Sequence, residues 1–459
     1  MEGSADWQST HHGLSEIDFR FREMAKSSPD FLERSRFHAL ERNRELTQYR
    51  LQPWVTFLGS GKLEELKRVS LGVNNLIKNI SELIFHEDWV KMAEFYHLGS
   101  PSIAEIVFSS PTDAKTVFSR GDFIDTAGGF KCIEFNFAPN LGGWDTSIIT
   151  RMHLSVPATS SFIAREGISV HYTDPIWMMF RHIFADLRDK QLASDGNVTI
   201  AFVVQPWEVV PEDNPKIMFF QREMNRAIET LGLEISGKIV SCSYQDMAPR
   251  EPLFLGARRV DALIELSNIM TPTFIYRLFK GGCVALYNGP VDRILGSKRN
   301  LALLSQYAAS RSFSDAERDM IESHIPWTRL VSPDLIDYEG GTHPLYDLVA
   351  AHQDRFVLKK ADSFGGKDVF IGRSTASEEW GRRLDTALAQ GGWIVQEVQE
   401  SLPYLYQSGE YGCSVHDLVW GPFCFGDAYG GVVLRMQPRA SGGAVNLSLN
   451  ATEGIVLEV

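Results

Sequence analysis

Between residues 15 and 98 apolar residues recur at intervals of three and four, with polar residues between them, as in FLERSRFHALERNRELTQ and KLEELKRVSLGVNNLIKNISELIF. That period predicts amphipathic helices whose apolar stripe covers another layer. His11 and His12 stand side by side ahead of these helices. Neighbours on a helix point in different directions, so a solvated terminus is expected there rather than a metal site.

The period changes near residue 197. NVTIAFVVQP, KIVSCSY, RRVDALIEL and CVALYNGP are β-rich runs, and the segments IMFFQREMNRAIETLGL and TPTFIYRLFKGG between them are helical. Strand alternating with helix predicts a parallel sheet flanked by helices, a Rossmann-like lobe. Thr271 is the expected N-cap of its last helix and Gly281 the stop. No G-x-G-x-x-G opens the lobe, so nothing supports a dinucleotide site. After a further helix in ILGSKRNLALLSQ, Gly and β-formers increase. RFVLKKADSFGGKDVFIG, GGWIVQEVQES and GCSVHDLVWGPFCFGDAYGGVVLRMQP read as antiparallel strands joined by tight turns. The fold class is α/β, of the α+β kind.

One predicted hairpin carries unusual chemistry. In RGDFIDTAGGFKCIEFNF, a turn about residue 127 or 128 brings Asp122 opposite Glu134 and Arg120 opposite Asn136, all on one face. Phe123, Ile133, Phe135 and Phe137 are expected on the other, apolar face. Cys132 is expected on the Glu134 face, as a packing thiol without a His partner. The polar face has two readings. It is the wet side of an antiparallel sheet, or it is a hard-oxygen cation site. Opposed carboxylates repel unless a proton or cation stands between them, and Asp122, Glu134 and Asn136 offer ligands suited to Mg²⁺, with Arg120 beside them for a phosphate. Spacing alone leaves both open.

Composition narrows the classes. The 459 residues are 44% hydrophobic and 22% charged, enough for a large core and more than one domain. Lys+Arg 45 against Asp+Glu 58 gives a net charge of -13, which argues against nucleic acid as a partner, since phosphate backbones need clustered cations. No basic-then-apolar leader and no long apolar run is present, so no membrane partner and a cytoplasmic location are expected. Cys132, Cys242, Cys283, Cys413 and Cys424 form no C-x-x-C pair; a disulfide framework and a zinc site are not expected.

Taken in order, these pieces resemble a circularly permuted ATP-grasp ligase of the glutathionylspermidine synthetase group. There an Arg-x-Asp strand precedes a Glu-x-Asn strand, and both precede a gripping Lys and a Gly loop; the match runs over roughly residues 115–455. The resemblance implies Asp122, Glu134 and Asn136 as Mg²⁺ ligands and Arg120 and Arg435 as catalytic groups on the transferring phosphate. It implies Lys298, Lys359, Ser363, Gly365, Gly366, Gln396 and Glu397 as ATP contacts. It divides the chain into a helical region 1–110, a metal-bearing part of the ATP-grasp core 111–194, the Rossmann-like substrate lobe 195–292 and a nucleotide-binding lobe 293–459. Three departures stand out: Lys360 replaces the Pro that follows the gripping Lys, SFGGKD lacks the Arg-Glu before its Gly, and NFAPN stands in place of the family's NADTP.

The activity implied is ATP-dependent joining of a carboxylate to an amine through an acyl phosphate, with ATP and Mg²⁺ as cofactors. Small-molecule carboxylate and amine substrates (amino acid, peptide or polyamine) are the expected partners, and a homodimer is the default assembly. Two other classes use the same residues: a phosphotransferase that stops at a phosphorylated product, and a non-catalytic nucleotide-binding protein.

Overall fold

The computed structural model describes residues 7–27, 49–108, 117–192, 196–267, 269–287, 292–363, 368–408, 412–447 and 451–459. FLERSRFHALERNRELTQ, at 31–48, lies outside the described residues. At the centre is a six-stranded sheet in the order Thr452–Gly454, Ala428–Pro438, Gly412–Phe425, Phe118–Thr126, Gly129–Phe137, with Tyr404–Ser408 pairing the start of Gly412–Phe425. Two hairpins far apart in sequence therefore meet edge to edge, Phe425 opposite Phe118 and Trp420 opposite Phe123.

Each face of this sheet buries a different layer. On one face lie Phe123, Phe130, Cys132, Phe135, Trp420 and Leu434, covered by the helix Ser60–Lys78 through Leu66, Val69 and Val73. Those helical positions follow the three-and-four spacing of KLEELKRVSLGV, so the stripe is buried as its period predicts. The other face, with Phe118, Phe423, Phe425 and Val433, packs on Ile176, Met179, Phe180 and Ile183 of the helix Pro175–Asp189. Asp174 caps that helix through the N–H groups of Ile176 and Trp177, and Pro175 sits at its first position.

The N-terminal stretch is not all helix. Thr56–Leu58 is a strand paired in parallel with Val456–Glu458. A three-residue strand takes its identity from a partner distant in sequence, which local periodicity does not contain. His11 also departs from expectation. It is fully buried, its Nδ1 contacts Asp18, and its Nε2 accepts from the Leu405 N–H at 2.8 Å. The solvated histidine is His12, paired with Glu16.

Residues 197–287 form a four-stranded parallel sheet in the order Ala285–Tyr287, Ala262–Glu265, Asn197–Val203, Ser236–Cys242, with helices Pro215–Thr230 and Thr273–Lys280 on its faces. Gly281 ends the last helix, but Pro272 is its N-cap; the Thr271 hydroxyl donates instead to Glu265 at 2.6 Å. A further four-stranded sheet, all antiparallel, runs Thr328–Leu330, Trp393–Glu397, Phe356–Lys360, Val369–Ile371. Among the described residues no helix is long and apolar enough to cross a membrane.

A buried ion pair ties the covering helix to the central hairpin. Lys62 reaches Asp125 at 2.7 Å, and the Tyr404 hydroxyl donates to the other Asp125 oxygen at 2.7 Å. Lys62→Met would leave the 1% exposed Asp125 without its cation. Removing one partner of a buried pair costs about 3 kcal/mol. The urea midpoint at pH 7 should fall accordingly; an unchanged midpoint would show that Tyr404 alone satisfies Asp125.

Candidate functional site

The hairpin register is the one that the spacing predicts: Arg120 pairs Asn136, Asp122 pairs Glu134, and Thr126 pairs Gly129 around the turn. The glycine inside R-G-D is required by packing. A Cβ at Gly121 would lie 2.2 Å from Cε2 of Phe123 and 2.9 Å from Cε2 of Phe135. One detail differs from simple alternation. Asp122 pairs Glu134 but Phe123 pairs Cys132, so Ile133 is an extra residue in a β-bulge. The bulge moves Cys132 onto the buried apolar face beside Phe123, and leaves Ile133 half-exposed rather than on that face. Burial pushes the Cys132 thiol well up, which makes it an inert packing group.

The bulge also makes a contact. Lys359 sits on the strand Phe356–Lys360 of the antiparallel sheet and is 5% exposed. Its Nζ donates to the Ile133 carbonyl at 2.8 Å and to Oε1 of Gln396 at 2.7 Å. A bulged residue leaves the ladder locally unpaired, which is how a carbonyl comes to be available there. Gln396 is oriented in turn by Nε2 donating to the Thr328 hydroxyl at 3.1 Å. Burial pulls the Lys359 ammonium down to about 8, partly offset by Glu134. Lys360 points out to solvent, so the inward lysine of the pair is Lys359.

A second lysine closes the same corner. Lys298, at the N-cap of the helix Arg299–Tyr307, reaches Glu134 Oε1 at 3.2 Å and the Ser363 carbonyl at 2.5 Å. The Ser363 hydroxyl donates to Asp368 at 2.6 Å. Gly365 and Gly366 lie outside the described residues. Glu397, next to Gln396 and so on the opposite strand face, turns away: it accepts from the Tyr338 hydroxyl at 2.6 Å and lies 3.6 Å from Arg355.

Arginines fill the other end. Arg435, on the strand Ala428–Pro438, contacts the Asp122 carboxylate directly, and Arg120 Nε lies 3.5 Å from the same oxygen. Burial pushes the Asp122 carboxyl up, but the two guanidiniums outweigh it and hold the group below the usual carboxylate range. Arg120 also donates to the carbonyls of Leu141 and Gly142, the latter at 3.1 Å, so part of its guanidinium is spent on the loop after the hairpin. Gly421 makes room for its stem, since a Cβ there would stand 3.2 Å from Arg120 Cδ. The repulsion expected between Asp122 and Glu134 is thus relieved by separate cations, arginine on one and Lys298 on the other.

Two acids in this corner were not among the expected site residues. Glu453 pairs directly opposite Arg435 in the ladder and is fully buried. Asp145, at the N-cap of the helix Thr146–Ser155, is its acidic neighbour; burial and then Asp145 push Glu453 well above the usual range. Glu453 is one of two acids in the β-rich stretch ATEGIVLEV, and an acid among β-formers was its only sequence signal. Among the described residues no three His, Cys, Asp or Glu side chains converge as a metal cage; the third oxygen of the expected set belongs to Asn136, half-buried beside Glu134.

No protein-family profile matches the chain, and no curated protein does. Among solved structures the chain is similar to that of a glutathione synthetase-like effector from Globodera pallida in its apo form. The identity is 11%, the TM-score 0.55, and 90% of each chain is covered. The likeness is one of fold, and the fold is glutathione synthetase-like.

Proposed function

We propose that the protein is an ATP-dependent carboxylate–amine ligase with an ATP-grasp site between the central hairpin and the antiparallel sheet. The observation that carries the reading is the convergence of two buried lysines, Lys298 and Lys359, on the strand bearing Asp122's partner Glu134. Two buried ammoniums held by carbonyl, amide and one carboxylate form a site for a polyphosphate. The circularly permuted order is part of the proposal, supported by the carboxylate hairpin preceding the Lys359 strand in the chain. Its placing in the glutathionylspermidine synthetase group rests on the two hairpin motifs, whereas the structural likeness is to a glutathione synthetase-like protein.

The residues fit a magnesium nucleotide. Asp122 and Glu134 with the Asn136 amide supply hard oxygen donors from facing strands of one hairpin, the donor type that Mg²⁺ takes. Bound there, Mg²⁺ supplies charge compensation to phosphate oxygens. Lys359 and Lys298 would hold the phosphates, and Arg435 would neutralise charge on the transferring group. The substrate carboxylate oxygen attacks the γ-phosphorus, the bond to the β-phosphate oxygen breaks, and ADP leaves. The amine nitrogen then attacks the acyl carbon, loses its proton, and expels inorganic phosphate. No residue of the chain becomes covalently attached.

The test is ADP and phosphate release with MgATP across a pool of amino acids and polyamines. Release that requires both an acid and an amine is expected, with Glu134→Ala lowering it by about 10²–10³. ADP release without any amine would mean a phosphotransferase. If ATP is neither bound nor consumed, the site is a structural charge cluster.

A further inference from the structure

Lys359 ends a row of polar side chains that crosses three neighbouring strands. Thr328 pairs Gln396 in register, Gln396 pairs Val357, and Lys359 stands two residues beyond Val357, so Thr328, Gln396 and Lys359 share one face of the antiparallel sheet. All three are buried. The hydrogen bonds along the row have one consistent direction. An ammonium donates and never accepts, so the amide atom facing Lys359 at 2.7 Å is Oε1. That turns the Gln396 NH₂ toward Thr328, and because the NH₂ only donates, the hydroxyl at 3.1 Å accepts. The hydroxyl's own proton goes to the Pro326 carbonyl at 2.8 Å. With that proton committed, a reversed amide would set NH₂ against NH₃⁺ at one end and oxygen against oxygen at the other. The row also reaches the helix of the second lysine. The Thr328 N–H donates to the Ser305 hydroxyl at 3.0 Å, and Ser305 lies on Arg299–Tyr307, whose N-cap is Lys298.

We propose that Thr328 is a positioning residue of the nucleotide site: its hydroxyl sets the orientation of the Gln396 amide, and the amide oxygen fixes the Lys359 ammonium for a polyphosphate. The inference rests on the ATP-grasp reading and adds to it a residue that acts only through another. A neutral acceptor suits the role. Gln396 restrains the ammonium without cancelling its charge, as a carboxylate in the same place would. The Ile133 carbonyl is the second restraint, so two of the three ammonium donors are taken by the protein and the third is left for a phosphate oxygen.

The experiment measures ATP affinity of the full chain by calorimetry, with and without Mg²⁺, which needs no turnover. Thr328→Val keeps the shape of the side chain and removes the hydroxyl; it should weaken ATP binding roughly tenfold, the order for loosening one hydrogen bond to a charged group. Thr328→Ser restores the hydroxyl and should bind as the native chain does. Gln396→Met removes the acceptor itself and should weaken binding by a similar factor, and Thr328→Val should add nothing in that background. Native affinity in Thr328→Val or in Gln396→Met overturns the proposal, and the Gln396→Met arm stands even where Thr328→Val fails to fold. Losses that multiply in the double variant, or a loss that Thr328→Ser shares, overturn it too, because the two side chains would then be independent packing groups. A native chain that binds no ATP overturns the ATP-grasp reading, and the role of Thr328 falls with it.

Discussion

Lys359→Met is expected to lower ATP turnover by about 10²–10³, the range for removing a single charge-stabilising group from a water-excluded site. The buried ammonium is the shared centre of the Ile133 carbonyl and the Gln396 amide, so its loss leaves a polyphosphate without the cation that joins the two sheets. The native protein should show a matching pH signature. Burial holds Lys359 at about 8 in the free protein, so its charge is present at pH 7 and lost as the pH rises through that value. Because kcat/KM reports the free enzyme, it should fall on the alkaline side with a midpoint near 8, and saturating nucleotide should move the midpoint of kcat higher. A flat profile from pH 7 to 9, or turnover in Lys359→Met within threefold of native, would remove Lys359 from the nucleotide site.

The second large effect is on stability. His153 is fully buried in the helix Thr146–Ser155, and burial pulls its imidazole down to about 3. The unfolded chain protonates this group near 6.5, so below that pH the unfolded state binds a proton that the native state refuses. Stability is therefore complete above 6.5 and is lost as the pH falls. His153 alone should cost about 2 kcal/mol between pH 7 and pH 5. His11 and His416 are lowered by burial too and add to the same slope. Urea midpoints at the two pH values measure it, and His153→Asn should flatten the dependence by about 2 kcal/mol. An identical slope in the variant would show that the imidazole accepts a proton without unfolding.

The parts of this molecule legible from sequence were those with a local period. The covering helix, the alternating lobe and the hairpin register follow from spacing within a few residues of each other, and Asp122 opposite Glu134 is a matter of counting from a turn. The bulge at Ile133 was not legible, because one extra residue reverses the face of everything before it and no local pattern marks it. It placed Cys132 in the core and gave Lys359 its acceptor. Nor could spacing show that Arg435 would contact Asp122 or that Glu453 would sit behind it; both depend on strands brought together from distant parts of the chain. His11 was misplaced for the same reason, since its acceptor role is set by Leu405. Glu397 was named with Gln396 on the resemblance alone, and strand alternation points the two in opposite directions, Glu397 toward Tyr338 and Arg355.

The central sheet joins Phe118 to Phe425, so its two hairpins cannot zip together until most of the chain has been made. Folding of such a sheet is governed by loop closure over that whole interval, and it belongs to the slow, high-contact-order class. During synthesis the first hairpin must wait for its partner strand, and its Phe123, Phe130 and Phe135 can already pack on the helix Ser60–Lys78, which emerges before them. This covering helix thus precedes the hairpin in the chain and shelters its apolar face, the one opposite Asp122 and Glu134.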